Sequence, residues 1–277
     1  MTISGLISSF KDISLTERIS LLSFALSKKK EEILTRFDET LSGEKVKFIK
    51  SLFEERKRGK PLAYIVKTKE FFSEEFFVNE SVLIPRPETE ILVEEAINII
   101  KDMKGQLSIM DVGTGSGIIG IMIAKHTGRD VLCLDVSKNA LKMASLNSEK
   151  IGVKKHTVFI CSDLFCAIKE KAKFHVIVAN LPYVKNKEWD NLMKDVRDYE
   201  PKLALLGGED GLELYRRLID SLKGVLVQKG WFLCEIGGAE QAGAISEMLI
   251  KKGFTVSKIK DYSGIERIIK AQRINSL

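Results

Sequence analysis

The chain has 277 residues, of which 44% are hydrophobic and 30% charged. That supports one large and one small apolar core, and it excludes disordered, collagen-like and fibrous classes. Lys and Arg total 44 against 38 Asp and Glu, a formal charge of +6, compatible with a partner near nucleic acid without requiring one.

The longest apolar runs, such as Ile118 to Ala124, fall far short of the ~20 residues of a membrane span. The first residues lack the basic and apolar regions of a secretory signal. The expectation is a soluble, cytoplasmic protein.

Residues 1 to about 58 read as helices. Ser14 with Glu17 fits a capping box, and Leu15, Ile19, Leu22 and Leu26 follow at helical spacing. Val46, Ile49, Leu52 and Phe53 make a second stripe. Glu44 to Lys60 holds seven Lys/Arg against three Glu; it reads either as a solvated helix face or as a docking surface for an acidic partner such as ribonucleoprotein. Gly59 and Pro61 close this block. Residues 69 to 84, rich in Phe and Val, predict a hairpin that joins two domains. Pro85 and Pro87 follow, and Glu88 to Met103 predicts an amphipathic helix.

From Leu107 strands and helices alternate. The predicted strands are Leu107–Asp111, Val131–Asp135, Thr157–Ile160, His175–Ala179, Trp231–Ile236, Phe254–Ile259 and Arg267–Gln272. The alternation predicts an α/β fold with a doubly wound, largely parallel sheet. The gap between the last two strands, Lys260 to Glu266, is too short for a crossover helix, so they should form an antiparallel hairpin at the sheet end.

Cys133, Cys161, Cys166 and Cys234 form no C-x-x-C pair and read as buried, reduced thiols. His126, His156 and His175 show no metal-ligand spacing; no metal is expected.

Asp111-Val112-Gly113-Thr114-Gly115-Ser116-Gly117 follows a strand and opens a helix. Glycines there permit a tight turn and close approach to a ligand. Asp135 ends the next strand, where an acid can accept hydrogen bonds from both ribose hydroxyls of an adenosine cofactor. Asp163 follows the third strand and is placed to meet an adenine edge, with Leu164 beside it to pack on the base. Gly115-x-Gly117-x-x-Gly120 also fits the dinucleotide fingerprint, so the loop alone leaves NAD open.

Asn180-Leu181-Pro182-Tyr183 follows the fourth strand of the sheet, at the end where open α/β sheets bind ligands. Alone it reads equally as a turn. With the glycine loop it suits methyl transfer to a planar nitrogen. The lone pair of such a nitrogen is delocalised, and two acceptors that grip its N–H groups hold it toward the methyl donor. The Asn180 side-chain oxygen and the backbone carbonyl of Leu181 would be those acceptors. Tyr183 would cover the planar face.

On these residues the chain resembles the HemK family, the protein-(glutamine) methyltransferases that modify peptide chain release factors. The resemblance runs from about Gly59 to Arg267. It takes in Pro61, Ala63-Tyr64-Ile65, Glu70-Phe71, Val82-Leu83-Ile84-Pro85-Arg86-Pro87-Glu88-Thr89-Glu90, Asp111 to Gly117 and Asn180 to Tyr183. Beyond these it includes Val196-Arg197, Glu200-Pro201, Leu203-Ala204-Leu205, Gly207-Gly208 with Asp210-Gly211, Glu235-Ile236-Gly237, and Gly264 with Arg267.

The resemblance implies a Rossmann-like methyltransferase sheet in residues 76–277. It also implies an N-terminal helical substrate-docking domain in 1–75, with its hairpin linker beginning near 69. It implies S-adenosyl-L-methionine as cofactor, held by Gly113, Thr114, Gly115, Ser116, Gly117, Asp135, Asp163, Leu164 and Asn180. Asn180, Leu181, Pro182 and Tyr183 would hold the substrate glutamine, with Asn180 and Tyr183 catalytic.

The implied reaction methylates the amide nitrogen of the glutamine in the release factors' Gly-Gly-Gln motif. The expected protein is a monomer with no membrane or nucleic-acid target. The competing readings are a ribosomal-protein glutamine methylase, a methylase of a nucleic-acid base, an NAD-dependent oxidoreductase and a binding module. A DNA enzyme would need a base-reading region that this length does not provide.

Four positions depart from the family pattern. Leu181 replaces the tetrapeptide's first proline, Lys67 and Ser73 stand where glycine is usual, and Leu164 stands where some members carry Trp. Because residue 181 acts through its carbonyl, Leu181→Pro is expected to be close to neutral or to improve turnover modestly.

Overall fold

The computed structural model describes residues 1–274. The chain divides into two compact units: Met1–Thr68 with Met193–Tyr199, and Lys69–Leu192 with Glu200–Leu277. The division falls at Thr68/Lys69, so nearly all of the hairpin belongs to the second unit.

The first unit holds α1 (Ile3–Ser9), α2 (Leu15–Leu26), α3 (Lys30–Leu34), α4 (Gly43–Lys57) and α5 (Leu62–Val66). Ser14 caps α2 by accepting the Glu17 N–H at 3.3 Å. The Glu17 carboxylate in turn accepts from Arg56 on α4 at 2.7 Å. Ile19, Leu22, Ile49, Leu52 and Phe53 are buried in one apolar cluster, while Leu15 is exposed. The expected block ends too early: Pro61 does not close it but precedes the short helix α5, a place where its missing N–H costs nothing.

The second unit begins with the hairpin β1 (Thr68–Phe71) and β2 (Glu74–Phe77). The two residues between them, Phe72 and Ser73, have φ of +54° and +61°. Both positive values mark the tight turn that matches strand twist and normally takes Asn-Gly. Then come α6 (Glu88–Asp102), β3 (Ile109–Val112), α7 (Ile118–Thr127), β4 (Val131–Asp135), α8 (Lys138–Lys150), β5 (Thr157–Cys161) and β6 (Phe174–Ala179). After α9 (Lys194–Tyr199), which belongs to the first unit, follow α10 (Glu213–Val225), β7 (Leu226–Glu235), α11 (Ala239–Lys251), β8 (Phe254–Lys260) and β9 (Glu266–Arg273).

All seven predicted strands form one sheet in the order β5-β4-β3-β6-β7-β9-β8. Its pairs are parallel except that β9 runs antiparallel to both β7 and β8. The hairpin is therefore folded back, with β9 inserted beside β7. β7 starts at Leu226 rather than Trp231, because the register shifts between Phe174 and Val176 of its partner. The exposed Gln228 and Lys229 in that stretch hide the strand from any reading by hydrophobic run.

Successive residues serve opposite faces of the sheet, as the pleat requires. Ile109, Val176 and Val178 pack with Leu92, Ala96 and Met122 of α6 and α7. Met110, Val112 and Ile177 pack with Tyr215, Leu218 and Ile245 of α10 and α11. Cys133 and Cys234 are buried as expected, but Cys161 and Cys166 are exposed. Cys161 closes β5, and Cys166 follows in the loop beyond it. Among the described residues no helix is long and apolar enough to cross a membrane.

Candidate active site

From β3 the chain winds outward through β4 and β5, and from β6 it winds the other way. The carboxyl ends of β3 and β6 thus meet at the switch point where open sheets form a crevice. The glycine loop leaves β3 there, and the Asn-Leu-Pro-Tyr turn leaves β6.

The loop is built by short-range hydrogen bonds. The N–H groups of Gly113 and Thr114 donate to the Leu134 carbonyl at 2.8 and 2.9 Å. Thr114 Oγ1 donates to Asp111 Oδ2 at 2.6 Å, and the Gly120 N–H donates to the same oxygen at 3.0 Å. Asp111 is fully buried, and burial pushes its carboxyl up to about 7. Gly113, Gly115 and Gly117 have φ of +76°, +55° and +86°, the left-handed region that glycine enters without strain.

Asp135 spans this loop and the next. Its Oδ2 accepts from the Gly115 N–H and its Oδ1 from the Ser137 N–H, both at 2.8 Å. A carboxylate offers about four lone-pair sites, so acceptor capacity remains beyond these backbone bonds. Burial raises this carboxyl above the usual carboxylate range. Asp163 accepts from Arg217 of α10 at 2.6 Å. Leu164 lies at φ +47°, a conformation costly for a side chain and commonest where function demands it.

The tetrapeptide is held from afar. The Leu181 N–H donates to Tyr215 Oη at 3.1 Å, and that hydroxyl donates to the Glu235 carbonyl. Leu181 is buried, and a Cβ on Gly113 would sit 2.9 Å from its Cδ2 and 3.4 Å from the Asn180 carbonyl. The two motifs therefore touch. Residue 181 gives more than its carbonyl, so the expected neutrality of Leu181→Pro is corrected: proline would delete a buried hydrogen bond. The Tyr183 carbonyl accepts from Gln241 at 2.8 Å. Burial pushes the Tyr183 hydroxyl up to about 12.

A cavity of about 690 Å³ lies between the motifs, within the range of small-molecule sites. Gly113, Thr114, Gly115 and Ser116 line one side, with Asp135, Asp163 and Leu164. Asn180, Leu181 and Pro182 line the other. Among the described residues, Gly117 and Tyr183 stand outside this lining. Gly117 instead begins α7, where a Cβ would sit 3.0 Å from that of Ala144. Tyr183 lies against Gly237, whose added Cβ would be 3.1 Å from its ring.

Three residues of this site carried no role in the sequence reading. Arg217 lines the cavity and pairs with Asp163. Thr89 and Glu235 hold the Asn180 side chain, as described below. Both of the last two lie in family-like stretches, Thr89 in Val82 to Glu90 and Glu235 in Glu235-Ile236-Gly237, though nothing local in either stretch shows a contact with Asn180.

Residues 89–198 match the family model of the methyltransferase small domain, and residues 16–66 that of the PrmC N-terminal domain. The chain is 36% identical over 256 residues to a release factor glutamine methyltransferase of Clostridium acetobutylicum, covering 91% of this chain and 89% of that protein. It is 39% identical over 253 residues to one from Leptospira interrogans, covering 90% and 87%. The fold resembles the crystal structure of a methyltransferase from Pyrococcus furiosus, with a TM-score of 0.57 at 17% identity over 80% of this chain and 100% of that one. Sustained over nine-tenths of its length, such identity means that the chain belongs to the family of release factor glutamine methyltransferases and is a methyltransferase.

Proposed function

We propose that the protein uses S-adenosyl-L-methionine to methylate the side-chain amide nitrogen, N5, of the glutamine in the Gly-Gly-Gln motif of peptide chain release factors. The observation that carries this reading is the contact between the Asn180-Leu181 turn and the Gly113 loop across one cavity. The cavity residues fit the cofactor. A Cβ on Gly115 would meet nothing within 4 Å, so the loop is open to a ligand there. Asp135 keeps acceptor capacity for a ribose diol. Bound there, S-adenosylmethionine supplies an electrophilic methyl group.

The chain does the rest by binding and orientation. Gly113 to Ser116 hold the cofactor with Asp135, Leu164 and the Asn180 backbone, while Gly117 turns the chain into α7. Asp163 reaches the adenine edge from its pairing with Arg217. Asn180 Oδ1 and the Leu181 carbonyl accept the two N–H groups of the glutamine amide, while Pro182 bounds its planar face and Tyr183, packed on Gly237 outside the cavity lining, closes the turn behind it. Gripping both hydrogens weakens conjugation and favours the nitrogen as it develops positive charge. No strong base is needed, because the nitrogen turns acidic as it is alkylated; its proton leaves to water.

The test is incubation with labelled cofactor and, separately, release factor, ribosomal protein, tRNA and DNA. Label on release factor is expected. Label confined to any of the others overturns the reading.

The first unit is proposed to dock the protein substrate in the cytoplasm. Arg56, Lys57 and Lys60 are ion-paired within it, whereas Lys45, Lys47 and Lys50 on α4 are exposed. Reversing those three lysines to glutamate should raise KM for intact release factor several-fold and leave kcat unchanged. An unaltered KM removes α4 from the docking surface.

A further inference from the structure

The side chain of Asn180 is gripped from behind by two residues distant in sequence. Thr89 lies in the first turn of α6 and Glu235 ends β7. They are 1% and 2% exposed, so bulk water is no alternative partner for either. Thr89 Oγ1 donates to Glu235 Oε2 at 2.6 Å. Asn180 Nδ2 donates to Thr89 Oγ1 at 3.3 Å, and the Asn180 side chain lies close enough to the Glu235 carboxylate to favour its ionised form.

The chemistry of these groups fixes which way the Asn180 amide faces. A hydroxyl has one hydrogen, and Glu235 takes that of Thr89. Thr89 therefore turns a lone pair toward Asn180. An ionised carboxylate offers lone pairs alone. Both partners accept the NH₂ end of an amide and oppose its oxygen. A half-turn of the amide would set oxygen against oxygen in a buried place, which is costly. Asn180 lines the cavity, so the end left for the cavity is the carbonyl oxygen.

We propose that Thr89 and Glu235 are positioning residues that lock the Asn180 amide with its oxygen toward the substrate, and thereby make the site select a glutamine amide over a glutamate carboxylate. The proposal rests on the glutamine reading above. An outward oxygen accepts the N–H of glutamine and repels the acceptor-only carboxylate of glutamate. An unlocked asparagine could turn its NH₂ outward and welcome that carboxylate. Burial, and to a smaller extent Glu88, resist ionisation of Glu235, while Arg267 favours it.

The experiment compares wild type, Thr89→Val and Thr89→Ser in the full chain, above the Glu235 carboxyl's pKa of about 7. Valine keeps the shape of threonine without the hydroxyl, and serine keeps the hydroxyl. The first readout needs no substrate: hydrogen exchange of the Asn180 side-chain NH₂ by NMR, assigned through Asn180→Asp. The expected result is protection in wild type and Thr89→Ser, with exchange at least tenfold faster in Thr89→Val. The second readout is kinetic. Thr89→Val should lose tenfold or more in kcat, and its preference for release factor over a Gly-Gly-Glu competitor should fall about tenfold. Thr89→Ser should recover both.

Equal exchange in wild type and Thr89→Val overturns the lock. Wild-type kcat and discrimination in Thr89→Val overturn it too, as does a kcat loss that serine does not recover. Failure of the glutamine reading looks different: wild type leaves release factor unmethylated while the exchange pattern stands.

Discussion

The two walls of the cavity are built in opposite ways. The glycine loop is held mostly from its own strand and the next one, Thr114 and Gly120 by Asp111 and Gly115 by Asp135, with one more distant bond from Asn147 to the Ser116 carbonyl. The Asn180–Tyr183 turn is held by Tyr215, Thr89, Glu235 and Gln241, which come from α6, α10, β7 and α11. A wall that carries its own scaffold should tolerate distant changes and fail locally. A wall propped by four separate elements should lose precision when any prop goes, even with the motif intact. Mutations that spare one wall and damage the other can break or sharpen this contrast.

The largest effect is expected at the propped wall. Asn180→Ala removes an acceptor that matters only when the amide nitrogen is gripped and develops charge, so turnover should fall ~10²–10³-fold. Cofactor affinity should change much less. Near wild-type turnover on release factor would reduce the tetrapeptide to a structural turn. At the local wall the pattern inverts. Asp135→Ala removes a charged acceptor, a loss of about 1.5–3 kcal/mol in cofactor binding or roughly tenfold and more. It also frees the Gly115 N–H, which places the effect at the upper end. Calorimetric titration measures it, and unchanged affinity would remove Asp135 from the cofactor site.

Smaller effects probe where the walls meet and how the hairpin turns. Leu181→Pro should lower stability by about 1 kcal/mol through the lost bond to Tyr215. Tyr215→Phe should cost a similar amount or more, because Tyr215 also donates to the Glu235 carbonyl. The double mutant should lose less than the sum. Additive losses in thermal unfolding would show that the two residues act separately. The smallest change is Ser73→Gly. Ser73 has φ +61°, where a side chain costs ~1–2 kcal/mol and glycine's extra unfolded entropy returns ~0.5–1. A gain of about 0.5 kcal/mol in chemical denaturation is expected; destabilisation would contradict the turn's geometry.

This contrast also explains what the sequence made legible. The sheet was readable because its strands are apolar on both faces and alternate with helices, as in Ile109–Val112 and Phe174–Ala179. The glycine loop was readable because the carboxylates that shape it, Asp111 and Asp135, lie within 20 residues of it along the chain, although its Ser116 carbonyl also accepts from Asn147 of α8. Thr89 and Glu235 were not, since their role depends on contacts with Asn180 that no local pattern records. The start of β7 was hidden by its exposed Gln228 and Lys229, and α9 by its short length. At Lys67 and Ser73 the departures from the family's glycines coincide with φ of +62° and +61°. Sequence showed the substitutions; only the backbone shows that both sit where glycine would be unstrained.

The central claim is that the methyl group goes to a glutamine amide nitrogen held by Asn180 and Leu181. The most direct measurement is acid hydrolysis of the labelled Gly-Gly-Gln peptide, isolated from release factor after reaction. An N5-methylated amide hydrolyses to glutamate and methylammonium, so the label should become volatile, as methylamine, once the hydrolysate is made alkaline. Label retained on an amino acid, or found in another peptide, would contradict it.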